Sequence, residues 1–191
     1  MLIIARHGQT QANAEARLVG RMDPPLTELG LAQAAAMQSA VAGASRVVTS
    51  PLLRARQTAD ALGLPVTVDE RWIEVDYGVY DGRRLADVPP ALWATWRDDV
   101  SFAPEGGESL LAVGGRVFEA CEALAEEATA TDIVVVTHVS PLKAAVAWAL
   151  EAGADVVWRM FVDLASLTRI AISDRGPLLR SFNETHHLQG T

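Results

Sequence analysis

The 191-residue chain carries 16 Lys and Arg residues against 24 Asp and Glu residues, a formal net charge of −8, and 50% of its residues are apolar. This composition excludes a disordered protein, and at this length we expect one globular domain spanning residues 1–191. The negative charge opposes nonspecific binding of nucleic acid or of an anionic membrane, so we expect neither as a partner. Any phosphate site must therefore be a local basic pocket.

The cysteine content and the apolar runs exclude further classes. The single cysteine, Cys121, permits neither an internal disulfide nor a cysteine-based zinc site, and its surroundings predict a residue in the core of a helix. The first apolar run is too short for a signal peptide, and no stretch approaches the roughly 20 apolar residues that cross a bilayer. We therefore expect a cytoplasmic protein.

Short apolar runs rich in β-branched residues predict the strands of one sheet. They lie at residues 2–5, 46–49, 65–69, 132–138 and 167–173, with a weaker run at residues 178–182. Most of them are separated by helical patterns, as expected for a sheet with both faces covered. The fold class predicted is α/β, with three α/β/α layers and a mostly parallel central sheet.

Two of the helical patterns have clear boundaries or interruptions. One begins after Thr27, has Glu28 in its first turn and is expected to stop at Gly43. The other covers residues 109–128, although Gly114 and Gly115 weaken its middle.

Polar residues follow the first and fourth of the main strands. Arg6 and His7 end the first strand, and His138 ends the fourth. Beyond His138, Ser140 is expected to cap a helix that Pro141 opens. Because ligands of open α/β sheets bind beyond the carboxyl ends of the strands, these residues are candidates for a site.

The end of the second strand repeats this arrangement. Ser50 is expected to cap a helix opened by Pro51, with Arg54 in its first turn. Two histidines and at least two arginines would then gather beside helix N-termini, which favour an anion. Arginine forks suit phosphate oxygens, and the chain has no P-loop or dinucleotide motif, so a phosphoryl site is predicted.

A neutral imidazole is a competent nucleophile toward phosphorus, and neighbouring arginines keep it neutral. His7 is therefore the candidate carrier of a phosphoryl group. Taken singly, a histidine after a strand is more often a hydrogen-bonded structural residue, and Arg54 could be a solvated helix residue. Because three strand ends carry such residues together, a functional role is preferred for them.

Six segments carry a resemblance that runs in order along nearly the whole chain. They are RHGQT with Asn13 (6–13), DPPLTELGLAQA (23–34), SPLLRARQTA (50–59), EVDYGVYDG (74–82), EGGES (105–109) and VTHVSPLK (136–143). Together they resemble the histidine phosphatase superfamily, also called the phosphoglycerate mutase-like family. The chain is most similar to its α-ribazole phosphatase-like branch, including domains fused to ribonuclease H; we expect no such second domain here.

The resemblance implies a phosphohistidine mechanism with roles at matching positions. His7 matches the nucleophile, whereas Arg6, Arg54 and His138 match the catalytic phosphate pocket. Asn13 matches a further phosphate contact. These residues are therefore expected to bind the substrate, and the scheme requires neither a metal nor a cofactor.

Glu74 matches the carboxyl group that protonates the leaving oxygen and then activates water. The residues themselves do not choose between Glu74 and Asp76, because both lie on one side of an extended segment. Val139 is also expected to contact substrate, at a position where many relatives have glycine. Val19 stands where some relatives have a polar phosphate contact.

Two aromatic residues and two tail histidines are weighed separately. Trp93 and Trp96 either roof the pocket or pack in the core, and core packing is favoured. The adjacent His186 and His187 lack the helical spacing of a metal pair, so no role is assigned to them.

The principal hypothesis is a metal-independent phosphatase acting on a small-molecule phosphomonoester. Segment 83–104 is expected to set selectivity, and Arg83 and Arg84 either contact the leaving group or are solvated. The alternatives are a phosphoglycerate mutase and a phosphate-ester-binding protein without turnover. The phosphatase is preferred because little is inserted between Gly82 and Glu105, and because a purely binding protein needs no protonating carboxyl group.

Overall fold

The computed structural model describes residues 1–190 and contains a six-stranded sheet of order β3-β2-β4-β1-β5-β6. The strands are β1 Leu2–Arg6, β2 Ala44–Thr49, β3 Val66–Val68, β4 Asp132–Thr137, β5 Leu167–Ser173 and β6 Gly176–Glu184. Strands β1 to β4 pair in parallel, whereas β5 is antiparallel to both β1 and β6. The predicted α/β class with a mostly parallel sheet is confirmed.

Six α-helices accompany the described strands. They are α1 Gln11–Ala14, α2 Glu28–Ala40, α3 Leu53–Asp60, α4 Pro90–Asp98, α5 Leu110–Ala130 and α6 Val139–Ala149. As predicted, α2 follows Thr27, whose hydroxyl accepts the N–H of Gly30 at 3.1 Å. It ends three residues before Gly43, whereas α5 runs through Gly114 and Gly115 without a break.

Alternate residues of β1 face two separate hydrophobic layers. Leu2 and Ile4 pack in the cluster that includes buried residues of α5 and α6, and Ile3 and Ala5 pack in the cluster that includes α2 and α3. This two-residue period follows from strand geometry. The sheet therefore has helices on both faces, and Cys121 is buried in α5 as predicted.

Both predicted serine caps are wrong. Helix α3 begins at Leu53 rather than Pro51, and α6 begins at Val139 rather than Pro141. Neither helix has a side-chain cap, and both serines make tertiary contacts. The Ser50 hydroxyl lies against a histidine ring, and the Ser140 N–H donates to a carboxylate.

The predicted strand at residues 65–69 is also less buried than its apolar residues suggest. Strand β3 is an edge strand of three exposed residues. Within residues 1–190, no helix is both long enough and apolar enough to cross a membrane.

Candidate active site

The carboxyl ends of β1, β4 and β2 meet at one edge of the sheet, as predicted. In the parallel register Arg6 pairs with Thr137, and the His7 N–H donates to the Thr137 carbonyl at 3.0 Å. The Ser50 N–H donates to the neighbouring Val136 carbonyl at 3.0 Å. Consequently the rings of His7 and His138 lie side by side, with centroids 5.1 Å apart.

Hydrogen bonds fix the tautomer of His7. Its Nδ1 lies 2.7 Å from the Gly8 carbonyl, which only accepts, so Nδ1 carries the proton. Its Nε2 accepts a hydrogen bond from Arg54 Nε at 3.2 Å. The unprotonated nitrogen, which carries the electron pair, is therefore Nε2.

The pKa of His7 lies well below its usual value, chiefly because burial penalises the charged ring and secondarily because of Arg54 and Arg6. The hydrogen bonds and the lowered pKa both agree with the neutral imidazole that the sequence predicts. The cause differs from the expected one, since burial outweighs the arginines.

The loop after His7 is pressed against the start of α2. A Cβ at Gly8 would lie 2.4 Å from the Gly30 carbonyl oxygen, and a Cβ at Gly30 would lie 2.1 Å from the Gln9 oxygen. The Gly8 N–H donates to the Thr58 hydroxyl of α3 at 3.1 Å. The glycine after His7 is thus required by this close approach of two backbones.

Arg54 is fully buried and is held by a carbonyl cradle. Its Nη1 donates to the Met22 carbonyl at 2.7 Å, and its Nη2 donates to the carbonyls of Gly20 at 2.9 Å and Val19 at 3.3 Å. Burial lowers its pKa. This cradle aims Nε at His7.

Asp81 orders the loop that forms this cradle. Its carboxylate accepts the backbone N–H groups of Gly20, Arg21 and Met22, each at 2.8 Å. This role was not predicted, because nothing in the sequence links residue 81 to residues 20–22.

Arg6 offers an unpaired donor beside His7. Its Nη1 donates to the Val162 carbonyl at 2.7 Å, whereas its buried Nε has no hydrogen-bond partner among residues 1–190. Burial lowers its pKa to about 10, with Glu74 acting in the opposite direction. A buried cationic donor without a partner is suited to an anionic ligand.

The carboxylate of Glu74 accepts hydrogen bonds from the first backbone N–H groups of α6. Its Oε1 accepts the N–H groups of Val75 at 2.8 Å and Ser140 at 3.1 Å, and its Oε2 accepts the N–H of Val139 at 3.1 Å. Asp76 instead accepts the N–H of Gly78 at 2.8 Å. The structure thus places Glu74, and not Asp76, in the wall of the cavity described below.

His138 lies fully buried beneath His7. Its Nε2 is 2.7 Å from the Ser50 hydroxyl, and its buried Nδ1 has no partner in the described part of the chain. Its pKa is well below the usual value, first because of burial and then because of Arg54 and His7. Ser50 therefore positions a histidine, and its hydroxyl also accepts the N–H of Leu52 at 3.4 Å.

A cavity of about 330 Å³ opens above these residues. Five predicted site residues line it: Arg6, His7, Asn13, Glu74 and Val139. Asn13 Oδ1 accepts the N–H of Thr10 at 3.0 Å, which holds the side chain at the start of α1. Arg54 and His138 do not line the cavity but contact His7. We call Arg6, His7, Arg54, Glu74 and His138 the phosphoryl floor.

Part of the cavity lining is aromatic and apolar. Trp93 and Trp96 both line it, and Trp96 is also buried against its neighbours, so the two functions weighed for these residues coexist. Trp158 and Lys143 also line the cavity, although the sequence did not predict a place for them in the site. We call the side chains of Tyr77, Trp93, Trp96 and Trp158 the ring wall.

The remaining candidates lie away from this cavity. Arg83, Arg84, His186 and His187 are outside its lining, and His187 Nε2 contacts the Ala165 carbonyl at 2.9 Å. Among residues 1–190, no group of three or more His, Cys, Asp or Glu side chains is arranged to hold a metal ion.

The sequence profile of the histidine phosphatase superfamily (branch 1) matches residues 2–185. A bifunctional protein of Mycobacterium tuberculosis is 36% identical over 198 residues, which cover 98% of this chain and 54% of that protein. The chain thus spans about half the length of this relative. A probable phosphoglycerate mutase of Yersinia pestis is 30% identical over 201 residues, covering 97% of this chain and 93% of the relative.

Solved structures share the architecture. The mycobacterial glucosyl-3-phosphoglycerate phosphatase in complex with VO3 superposes with a TM-score of 0.89 at 29% identity, covering 96% of this chain and 99% of that one. The α-ribazole phosphatase of Shigella flexneri gives a TM-score of 0.83 at 28% identity, with 96% of each chain covered.

Proposed function

This chain belongs to the histidine phosphatase superfamily, and we propose that it hydrolyses a small-molecule phosphomonoester through a phosphohistidine on His7. The observation that carries the proposal is the electron pair of His7 Nε2, which lies at the phosphoryl floor beside the Arg54 guanidinium. Phosphatases among the structural neighbours support the same reaction class. Residues 1–191 are proposed to act as one catalytic domain.

In the first step His7 Nε2 attacks phosphorus, and the bond from phosphorus to the ester oxygen breaks. The incoming phosphoryl group takes the Nε–H of Arg54 away from Nε2, so the same donor that orients the ring then binds an equatorial oxygen. The unpaired Nε–H of Arg6 and the side chain of Asn13 supply further contacts, whereas His138 acts through its packing against the His7 ring. Such fixed donors stabilise the charge of the transition state.

Glu74 is proposed to move the protons of both steps. In the first step Glu74 donates a proton to the leaving oxygen. The resulting carboxylate is held by three backbone N–H groups and accepts a proton from water. That water attacks the phosphohistidine, releases inorganic phosphate and restores His7. Neither a metal nor a cofactor enters this scheme.

The proposal is tested by rapid acid-free quench of the enzyme with a 32P-labelled ester. We expect one labelled, acid-labile phosphoryl group per active site in the parent and in His187→Ala, which retains the phosphoryl floor. His7→Ala is expected to lose the label and to hydrolyse the ester at least about 10⁴-fold more slowly. Turnover by His7→Ala at the parental rate would refute the mechanism.

A mutase is the second candidate, because the Yersinia pestis relative is named a probable phosphoglycerate mutase. Mutase and phosphatase differ in whether the phosphoryl group returns to the substrate or passes to water. Incubation with 3-phosphoglycerate separates them: a phosphatase releases inorganic phosphate without forming the 2-phospho isomer.

A further inference from the structure

We propose that Asn183 and Asp163 form a positioning pair, which holds the Arg6 guanidinium in place for the phosphoryl group. This role rests on the proposed phosphatase function and adds two residues to the support of the same site. Hydrogen bonds carry it, and they connect the end of β6 to residues 162–166. We call residues 162–166 the entry loop, because they lead into β5.

The entry loop makes three hydrogen bonds to the end of β1. Arg6 donates its backbone N–H to the Ser166 carbonyl at 3.1 Å and its Nη1 to the Val162 carbonyl at 2.7 Å. The Ala165 N–H donates to the His7 carbonyl at 3.1 Å. Because the guanidinium is planar and one end is held by Val162, a shift of the entry loop also moves the unpaired Nε of Arg6.

Asn183 holds the entry loop through both the backbone and the side chain of Asp163. Its Oδ1 accepts the Asp163 N–H at 2.8 Å, and its Nδ2 donates to Asp163 Oδ2 at 2.7 Å. Inside the loop, the Asp163 carbonyl accepts the Ser166 hydroxyl at 2.8 Å and the Ser166 N–H at 3.3 Å. Asp163 thus links Asn183 to the backbone that holds Arg6.

A β-bulge turns Asn183 toward the entry loop. Strand β6 has one more residue than β5 where their register shifts beside Thr168. Asn183 has a φ of 56°, a left-handed conformation that asparagine adopts more readily than most residues. Its N–H donates to the buried Thr168 hydroxyl at 3.3 Å. Bulges redirect side chains beside active sites, and this one directs the Asn183 amide to Asp163.

The pair also places a negative charge near Arg6. Burial is the main reason that the pKa of Arg6 is lowered, and Asp163 is one of the groups that act in the opposite direction. The amide of Asn183 therefore orders an anion close to the guanidinium as well as the backbone that binds it.

Asn183→Gly tests the pair without straining the bulge, because glycine adopts a positive φ freely. We expect kcat/KM for 4-nitrophenyl phosphate to fall at least about tenfold, with KM changed less than about threefold. Orthovanadate mimics the five-coordinate transition state, so its inhibition constant should rise by a factor similar to the loss in kcat/KM. The matched control is Arg180→Gly at an exposed position of the same strand, which should keep kcat/KM within about twofold.

The same change in an Arg6→Ala background shows whether Arg6 carries the effect. A residue that acts through Arg6 then has nothing left to position, so Asn183→Gly should lower kcat/KM by less than about a further twofold. An equal loss in both backgrounds would overturn the inference. A merely structural role predicts that equal loss, since a smaller folded fraction acts alike in both backgrounds.

A reciprocal exchange tests the pair even if Asn183→Gly does not fold. Asn183→Asp tolerates the positive φ but brings two carboxylates together, and kcat/KM should fall at least about tenfold. Adding Asp163→Asn restores one amide opposite one carboxylate, so the double variant should return to within about threefold of the parent. A double variant no more active than Asn183→Asp would overturn the inference.

Parental kcat/KM in Asn183→Gly would overturn the positioning role alone, provided that His7→Ala is inactive, and the phosphatase proposal would stand. Turnover by His7→Ala at the parental rate, or no hydrolysis of any ester by the parent, would instead refute the proposed function and the positioning role with it.

Discussion

The phosphoryl floor and the ring wall adjoin one cavity but are built differently. In the floor, His7 and His138 follow neighbouring strands, and Arg54 and Glu74 each make several hydrogen bonds to backbone groups. The ring wall instead depends on side-chain packing along α4, a helix without a side-chain cap, and on a short turn. The proposed reaction chemistry thus rests on positions fixed by backbone hydrogen bonds, whereas the ring wall is held by side-chain packing.

The largest loss is expected from Glu74→Gln, which removes the mobile proton while keeping the shape of the side chain. With an alkyl phosphate, kcat/KM should fall about 10³-fold. With 4-nitrophenyl phosphate the first step needs no proton donor, so stopped-flow absorbance should show a burst of about one nitrophenolate per enzyme followed by slow turnover.

Asp76→Asn is the matched control for Glu74→Gln, since Asp76 lies outside the cavity. Its kcat/KM should stay within about threefold of the parent. Equal losses in the two variants would remove Glu74 from the proposed chemistry.

Arg54→Lys tests whether the floor needs a guanidinium fork and not only a positive charge. Lysine cannot contact His7 and the cradle carbonyls together, so kcat should fall about 10²-fold for every ester, in steady-state assays of phosphate release. Arg56→Lys makes the same substitution at an exposed position of α3 and should leave kcat unchanged. A loss confined to ring-bearing esters would contradict the division between floor and wall.

Asp81→Asn tests the phosphoryl floor through a residue that lies outside the cavity lining. An amide cannot accept all three N–H groups of the loop at residues 20–22, so the carbonyl cradle of Arg54 loosens. We expect kcat to fall about tenfold with KM nearly unchanged, since a positioning effect acts mainly on the transition state. Asp87→Asn, at an exposed position, serves as the control, and a similar change in both would refute the role of Asp81.

The smallest effect concerns the pH dependence of stability. Since the folded-state pKa values of His7 and His138 are lowered, the unfolded chain binds more protons below its own histidine pKa near 6.5. The associated stability is therefore present above about pH 6.5 and is lost as pH falls. Each ring contributes a slope of up to about 1.4 kcal/mol per pH unit.

Urea unfolding at pH 7, 6 and 5 measures this slope. His138→Gln should make it shallower by up to one proton, whereas His186→Gln, at an exposed site, should alter it less. The same slope in His138→Gln and the parent would show that this ring does not remain neutral in the folded state.

Local patterns in the chain were sufficient for the layers, the parallel strands and the convergence of three strand ends. Apolar runs of β-branched residues and capped helical segments are local signals, and parallel pairing then brings His7, Arg54 and His138 to one edge. The neutral His7 followed from the same convergence, although burial contributes more than the arginines.

Contacts between distant segments decided the residue roles that these local patterns left open or predicted wrongly. Ser50 and Ser140 have the chemistry of helix caps, but a histidine 88 positions away uses the hydroxyl of Ser50, and a glutamate 66 positions away uses the N–H of Ser140. Asp76 accepts the N–H of Gly78 within its own turn, and Glu74 lines the cavity instead. The physical reason is that a polar group can pair with a local partner or with a remote one. The packing of distant segments decides which of these hydrogen bonds forms.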